Sequence, residues 1–316
     1  TREIPRLGLK PFRMTDGPRG VAYHSSRRSR CTAFPSGIAQ AASWDEDLMH
    51  RFGEAIGEEA RSVGARTVLG PAINIARTPL NGRTFEYFSE DPLLNARLTV
   101  PVVRGIQSRG VAACVKHYAA NNQETRRMSN SSEVSERALQ EIYLPAFRAA
   151  VEQADAWSIM AAYTAVNGVA ACENPDLLRD KLRGEYGFRG FVVSDWFAVR
   201  RTSSAEACIR AGLTLEMPGK GSRYRHKNLR RAFEQGLFSE AELDQNLVDL
   251  LRVMVLTGHL DSAGPPGQRN TPEHQALARE MAEAGITLLK NEGALLPLDP
   301  ARVKKVALVG PRLKRR

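Results

Sequence analysis

The chain has 316 residues, enough for two domains of roughly 150 residues or for one α/β barrel of about 250 with a remainder. Hydrophobic residues at 42% and charged residues at 25% match soluble globular chains and argue against a disordered tail, a fibrous repeat or a membrane protein. Basic residues number 45 against 35 acidic, 36 of the 45 being Arg; the clusters at Arg27, Arg28 and Arg30, at Arg223 to Arg231 and at Lys314 to Arg316 lack the aromatic interleaving of a nucleic-acid surface and read as solvated.

No stretch approaches about 18 uncharged apolar residues, so no membrane partner is expected. Thr1 to Pro5 lack the apolar core of a secretion signal, which favours a cytoplasmic over a secreted protein, and without an initiator methionine the true start is expected upstream. Cys31, Cys114, Cys172 and Cys208 are too widely spaced for a zinc site, so neither metal nor cofactor is expected, and Cys114 inside the run Val111 to Val115 reads as a buried thiol.

In chain order, Asp16, Gly17 and Pro18 form a turn presenting one carboxylate. Ser43 with Glu46 reads as a capping box opening a helix along Leu48, Phe52, Ile56 and Ala60 that Gly64 stops, and a strand follows at Thr67 to Leu69. Asn81 to Glu86 form a second turn, holding Arg83 beside an aromatic. Pro92 starts a helix ended by Gly110, followed by the strand Val111 to Val115. Then come a helix Glu133 to Gln153 and a strand Ser158 to Ala162, a helix Pro175 to Arg183 and a strand Gly190 to Val193, a helix Ala205 to Ala211 and a strand Leu213 to Glu216. Helices at Leu229 to Gly236 and Glu240 to Leu256 close the unit. This alternation predicts an α/β fold with a parallel sheet over residues 1 to 258, and the Pro/Gly-rich stretch within 259 to 272 reads as a linker. Residues 273 to 316, with one helix Glu273 to Ala284 and apolar runs at Ile286 to Leu289 and Val306 to Val309, are too few for a core of their own and read as the opening of a second domain.

In a parallel barrel the ligand-facing residues lie at the C-terminal ends of strands, and these ends are polar. Lys116 and His117 follow one apolar run, Tyr163 and Asn167 the next, and Ser194, Asp195 and Trp196 the third. Singly, Asp195 is more often a turn or helix-cap residue; the convergence of several strand ends makes it a candidate nucleophile. Carboxylates, cations and aromatics together suit a pyranose, whose hydroxyls both donate and accept and whose C–H face seeks an aromatic floor.

The stretches DGPRGV (16–21), FPSGIAQAASWD (34–45), GPAINIARTPLNGRTFEYFSEDP (70–92), KHYAANNQETRR (116–127), MAAYTAVNG (160–168), GFRGFVVSDWFAV (187–199) and AGLTLEMPG (211–219) resemble the catalytic barrel of glycoside hydrolase family 3, the β-glucosidase-like group. ITLLKNEGALLPL (286–298) resembles the start of that family's second, α/β sandwich domain. The resemblance implies a TIM-like (β/α)8 barrel, incomplete at its N-terminus, with a fragment of the sandwich domain. It implies an exo-acting retaining β-glucosidase with Asp195 as nucleophile, and Asp16, Arg83, Lys116, His117 and Arg127 as ligands of the sugar hydroxyls. Tyr163 would lie close to the nucleophile, with Met160 and Trp196 in the pocket wall. The expected partner is a small-molecule β-glycoside; a β-xyloside or other β-sugar is the nearest alternative, and a sugar-binding fragment without turnover is the alternative of another class. Lys116, Arg83 and Arg127 are expected to hold the Asp195 carboxyl low, and Tyr163 to hydrogen-bond it. The family's acid/base glutamate is expected beyond Arg316, since the resemblance gives that role to none of Glu86, Glu90 and Glu124. Thr164 stands where many relatives carry Asn, Thr214 where Asp is common, and the basic loop His24 to Arg30 is expected to narrow or recharge the entrance.

Overall fold

The structure, a computed structural model, describes residues 1, 3–22, 30–219, 223–261 and 266–310. Arg27, Arg28, nearly all of the basic loop His24 to Arg30, and Lys314 to Arg316 therefore lie outside the described residues. The strands are β1 (Met14–Asp16), β2 (Thr67–Leu69), β3 (Ala112–Tyr118), β4 (Ser131–Ser132), β5 (Ser158–Ala161), β6 (Ala165–Val166), β7 (Val169–Ala170) and β8 (Phe191–Ser194). β1, β2, β3, β5 and β8 pair in parallel in that order, and a bridge from Val193 to Leu215 continues the curl by one position. The fold is an incomplete α/β barrel.

One face of the sheet is covered by the helices Glu46–Ser62, Pro92–Ser108 and Pro145–Glu152, which bury Phe52, Ile56, Val102, Val103, Ile106 and Phe147. The concave face carries Phe12, Leu69, Cys114, Met160 and Val193, and Leu250, Val253 and Met254 of the helix Glu240–Leu256 pack onto it. The interior is thus filled at its base by a helix, with the strand ends left open above. None of the described helices is long and apolar enough to cross a membrane.

Several elements differ from the sequence reading, each for a local reason. The helix Glu46–Ser62 is capped by Asp45, whose side chain accepts from the Leu48 amide, while the Ser43 hydroxyl turns back to donate to the Gln40 carbonyl. The helix expected over Glu133 to Gln153 is broken: Glu136–Ala138 runs into a wide π turn at Leu139–Tyr143, and Pro145 opens the next helix. Leu213 to Glu216 forms only the one bridge at Leu215. β1 was not foreseen, because its three residues Met14, Thr15 and Asp16 are too few to show a period. The apolar runs at Ile286 to Leu289 and Val306 to Val309 form no strand here, while Met281 of the helix Pro272–Ala284 joins the core beneath the sheet-covering helices.

A candidate active site at the strand ends

A cavity of about 1530 Å³ opens above the strand ends. Its wall contains Asp16, Arg83, Lys116, His117, Arg127, Met160, Tyr163, Asp195 and Trp196, so the residues that the resemblance implies for the site face one space, whereas the strand-end residues Asn167 and Ser194 do not line it.

Each arrives there by the geometry of its element. Asp16 closes β1, and its carbonyl accepts from the Ala22 amide, which folds the following loop back on the strand. Lys116 and His117 lie inside β3 rather than after it, since the strand extends to Tyr118. The pairing with β5 skips His117, matching Lys116 to Met160 and Tyr118 to Ala161, and this irregularity turns the imidazole toward the cavity. Asn74 fixes it there: its side chain accepts from the His117 amide and donates to the His117 carbonyl, both at 2.8 Å. Asp195 follows β8 directly, its amide still bonded to the Ala161 carbonyl at 3.0 Å.

The Asp195 residue is 8% exposed, and its two carboxylate oxygens differ. Oδ1 accepts from the Trp196 amide at 2.6 Å. Oδ2 makes no hydrogen bond of ordinary geometry and faces the Arg83 guanidinium at 3.8 Å and His117 Nε2 at 3.6 Å. The bond expected from Tyr163 is thus not formed at ordinary length, although its hydroxyl lies near enough to steady the charge. The expected depression of this carboxyl is not what the structure gives. Burial comes first and raises it above the ordinary aspartate range, and the Trp196 amide, Arg83, Lys116 and Tyr163 offset only part of that cost. Tyr163 responds in kind, its phenol pushed up by burial and then by the Asp195 charge. His117 is held well below its usual value by burial and by the charges of Arg83, Lys116 and Arg127, so the ring facing the carboxylate is neutral.

The cations are themselves held. Arg83 Nε donates to Glu86, and Arg127 donates to Glu124 at 2.9 Å while its guanidinium lies 4.5 Å over the Tyr163 ring. Lys116, itself buried, reaches the exposed Asp16 at 3.9 Å. Trp196 is 52% exposed, an aromatic face on the lip of the cavity.

Sequence reasoning gave no role to Asn74, Glu86 or Glu124, although the spacing of three between Arg83 and Glu86, and between Glu124 and Arg127, was the available signal for two of them. Glu216 also lines the cavity, with its carboxylate accepting from the amides of Arg223 and Tyr224. The two departures have structural partners: Thr214 Oγ1 accepts from the Val192 amide and meets Asn246, and Thr164 Oγ1 donates to the Ala165 carbonyl.

Residues 14–253 match the family model of the glycosyl hydrolase family 3 N terminal domain. The chain is 41% identical to "Beta-glucosidase B" of Emericella nidulans over 98% of its own length and 37% of that protein's. It is 42% identical to "Beta-glucosidase BoGH3A" of Bacteroides ovatus over 97% of its length and 44% of the relative's, so it spans less than half of each of these relatives. Among solved structures, β-glucosidase 3B of Thermotoga neapolitana in complex with glucose superposes with a TM-score of 0.87 at 40% identity, over 93% of this chain and 42% of that one. With strand-end residues gathered in one cavity and the match running from β1 to the helix that fills the barrel, the chain belongs to glycosyl hydrolase family 3.

Proposed function

We propose that this chain carries the nucleophile and first sugar subsite of a retaining, exo-acting β-glucosidase. The observation that carries the reading is Asp195 Oδ2: a buried carboxylate oxygen without a hydrogen-bond partner, aimed into a cavity large enough for a sugar and an aglycone. In this reading Oδ2 attacks the anomeric carbon and forms a glycosyl ester, which water then hydrolyses with net retention. The amide of Trp196 holds Oδ1, so the free oxygen keeps its aim. Asp16, Lys116, Arg83, Arg127 and His117 supply acceptors and donors for the hydroxyls, while Met160 and Trp196 wall the ring and Tyr163 stands beside the nucleophile. The names of the relatives, all β-glucosidases, support glucose as the sugar. The free thiols of Cys31, Cys114, Cys172 and Cys208 support work in a reducing compartment.

The remaining carboxylates of the described lining are Asp16, 3.9 Å from Lys116, and Glu216, bonded to two backbone amides. The family resemblance assigns neither of them the role of acid, and proton delivery to the leaving group is assigned by that resemblance to a glutamate outside this lining. Incubation with a 2-deoxy-2-fluoro-β-glucoside bearing a dinitrophenyl leaving group, which departs without a proton, should add one fluoroglucosyl unit to the peptide containing Asp195. Cellobiose, whose leaving group must be protonated, should react more slowly than the dinitrophenyl β-glucoside, by about 10² to 10⁴ where general-acid help is missing. A label on another residue, or a fluoroxyloside that labels faster than the fluoroglucoside, would overturn the nucleophile or the sugar respectively.

A further inference from the structure

We infer that Arg201 is a positioning residue of this pocket, a brace that holds the backbones carrying Tyr163 and Arg127 against the turn that carries Asp195. The inference rests on the proposed assignment of those three residues, and its arms below are separable from it. Arg201 ends the short 3-10 turn Ala198–Arg201, which begins three residues after Asp195. Its Nη1 donates to the Tyr163 carbonyl at 2.8 Å and, more loosely, to the Arg127 carbonyl at 3.4 Å, and its Nη2 donates to the Asn130 carbonyl at 2.7 Å. One guanidinium thus joins three strand-end loops: the one after β3, the one after β5 and the one after β8.

The chemistry suits a brace rather than a sugar ligand. Arg201 is absent from the described lining of the cavity, so it acts on the sugar only through its partners. Among the described residues no carboxylate acts on it; its half-buried charge is spent on carbonyl dipoles, and burial lowers its affinity for the proton. The guanidinium presents its donors in a rigid, preorganised fork, so less conformational freedom is lost per bond than with an ammonium on a flexible stem. The spacing it sets is the one the pocket uses, because the Arg127 guanidinium lies 4.5 Å over the Tyr163 ring. The segment after Arg127 is tied separately to the β6–β7 hairpin, through the Ser131 and Ser132 pairing with Ala165 and Val166, the Ser131 hydroxyl accepting from the Gly168 amide at 2.9 Å and Asn167 bonding both the amide and the carbonyl of Val134, so Arg201 is the tie that reaches it from the β8 side.

The test compares wild type, Arg201→Lys and Arg201→Met by the kinetics of fluoroglucoside labelling and by amide hydrogen exchange in residues 123–132. For Arg201→Met the labelling rate constant should fall about 10- to 100-fold with Asp195 still the labelled residue, the effect of misplacing positioned groups by about an ångström. Arg201→Lys should fall between the two. Exchange in residues 123–132 should rise in step, with the melting temperature of Arg201→Lys close to wild type. A tie that only stabilises the fold would lower the fraction of protein labelled at the endpoint and leave the rate constant alone. An unchanged rate constant, or unchanged exchange in both variants, overturns the brace. If wild type takes no label at Asp195, the assignment of the nucleophile fails, and the exchange measurement alone then decides whether Arg201 holds the loops.

Discussion

Asp195 sits where a carboxylate ionises reluctantly, and this has a consequence for stability that can be signed. Its folded value is raised, burial being the largest cause, whereas an unfolded aspartate titrates near about 3.9. Above that value the unfolded chain has released a proton that the folded chain still prefers to keep, so stability falls as pH rises through the window between the two values and stays lost at neutral pH. Asp195→Asn, neutral throughout, should therefore melt above wild type at pH 7, with each kcal/mol worth on the order of 2 to 4 °C, while it takes no label from the fluoroglucoside. Below pH 3 the advantage should vanish; an asparagine variant that melts lower than wild type at pH 7 sinks this account. Asp195 and Trp196 were legible because they follow a buried strand, and Asp16 and Arg83 because they sit at turns, whereas Arg127 and Met160 were implied only by the family resemblance. The sign of the Asp195 shift was not. The cations Arg83 and Lys116 can be read from the chain, but the depth of burial that outweighs them depends on packing across five strands. Asn74 was equally hidden, since its partner His117 is 43 residues away and the contact is to backbone.

Elements with strong local signals were readable to the residue. The helix Ala205–Ala211 has Ser204 as its cap and Gly212 in the left-handed region at its end, and Glu240–Leu256 has a full capping box at Ser239 and Glu242. Elements made by tertiary context were not, as β1, the Leu139–Tyr143 π turn and the extension of β3 through Lys116 and His117 show. The crossing of the helices Glu46–Ser62 and Pro92–Ser108 belongs to the same class. Gly53 and Gly105 allow the two backbones to touch: a Cβ on Gly105 would come within 2.3 Å of the His50 carbonyl, and one on Gly53 within 2.5 Å of the Val102 carbonyl. Backbone cannot step aside as a side-chain end can, so the helices would have to separate. Gly105→Ala should cost roughly 1 to 3 kcal/mol by overpacking despite the better helix propensity of alanine. Urea unfolding of the variant checks this, and a variant as stable as wild type would mean that the crossing can open without loss. The two helices cover β2 and β3, so the same substitution should slow labelling of Asp195 only as far as it unfolds the chain.

At the scale of the whole molecule, the stretch read as a linker is tied to the barrel by one buried carboxylate. Glu59, fully buried in the helix Glu46–Ser62, accepts from the Thr32 amide at 3.0 Å and hydroxyl at 2.7 Å, from the Asn270 amide at 2.8 Å and from His274 Nδ1 at 3.1 Å. Burial penalises its charge, but those hydrogen bonds outweigh the penalty and hold it below the ordinary glutamate value. His274 is raised in turn, first by its bond to Glu59 and with help from Glu58, whose carboxylate lies 3.5 Å from Nε2. Cys31 and Arg269 also face this cluster; the Cys31 thiol is pushed up to about 11 by burial and by Glu59, which keeps it protonated beside the carboxylate. Since the His274 folded value exceeds the unfolded one, its contribution to stability is complete below about pH 6.5 and is lost as pH rises through the folded value. A neutral His117 in the pocket works in the opposite direction, because its depressed value makes folding resist acid protonation. Comparing His274→Gln with wild type isolates the linker contact from that background. The variant should lose more stability at pH 6 than at pH 9, read as the difference in urea midpoint at each pH, and limited proteolysis should cut within residues 266–271 sooner at pH 6 in the variant than in wild type. A loss equal at both pH values would mean that His274 holds Glu59 as a neutral hydrogen-bond donor, and the linker would then be fastened with the same strength across the range in which the pocket titrates.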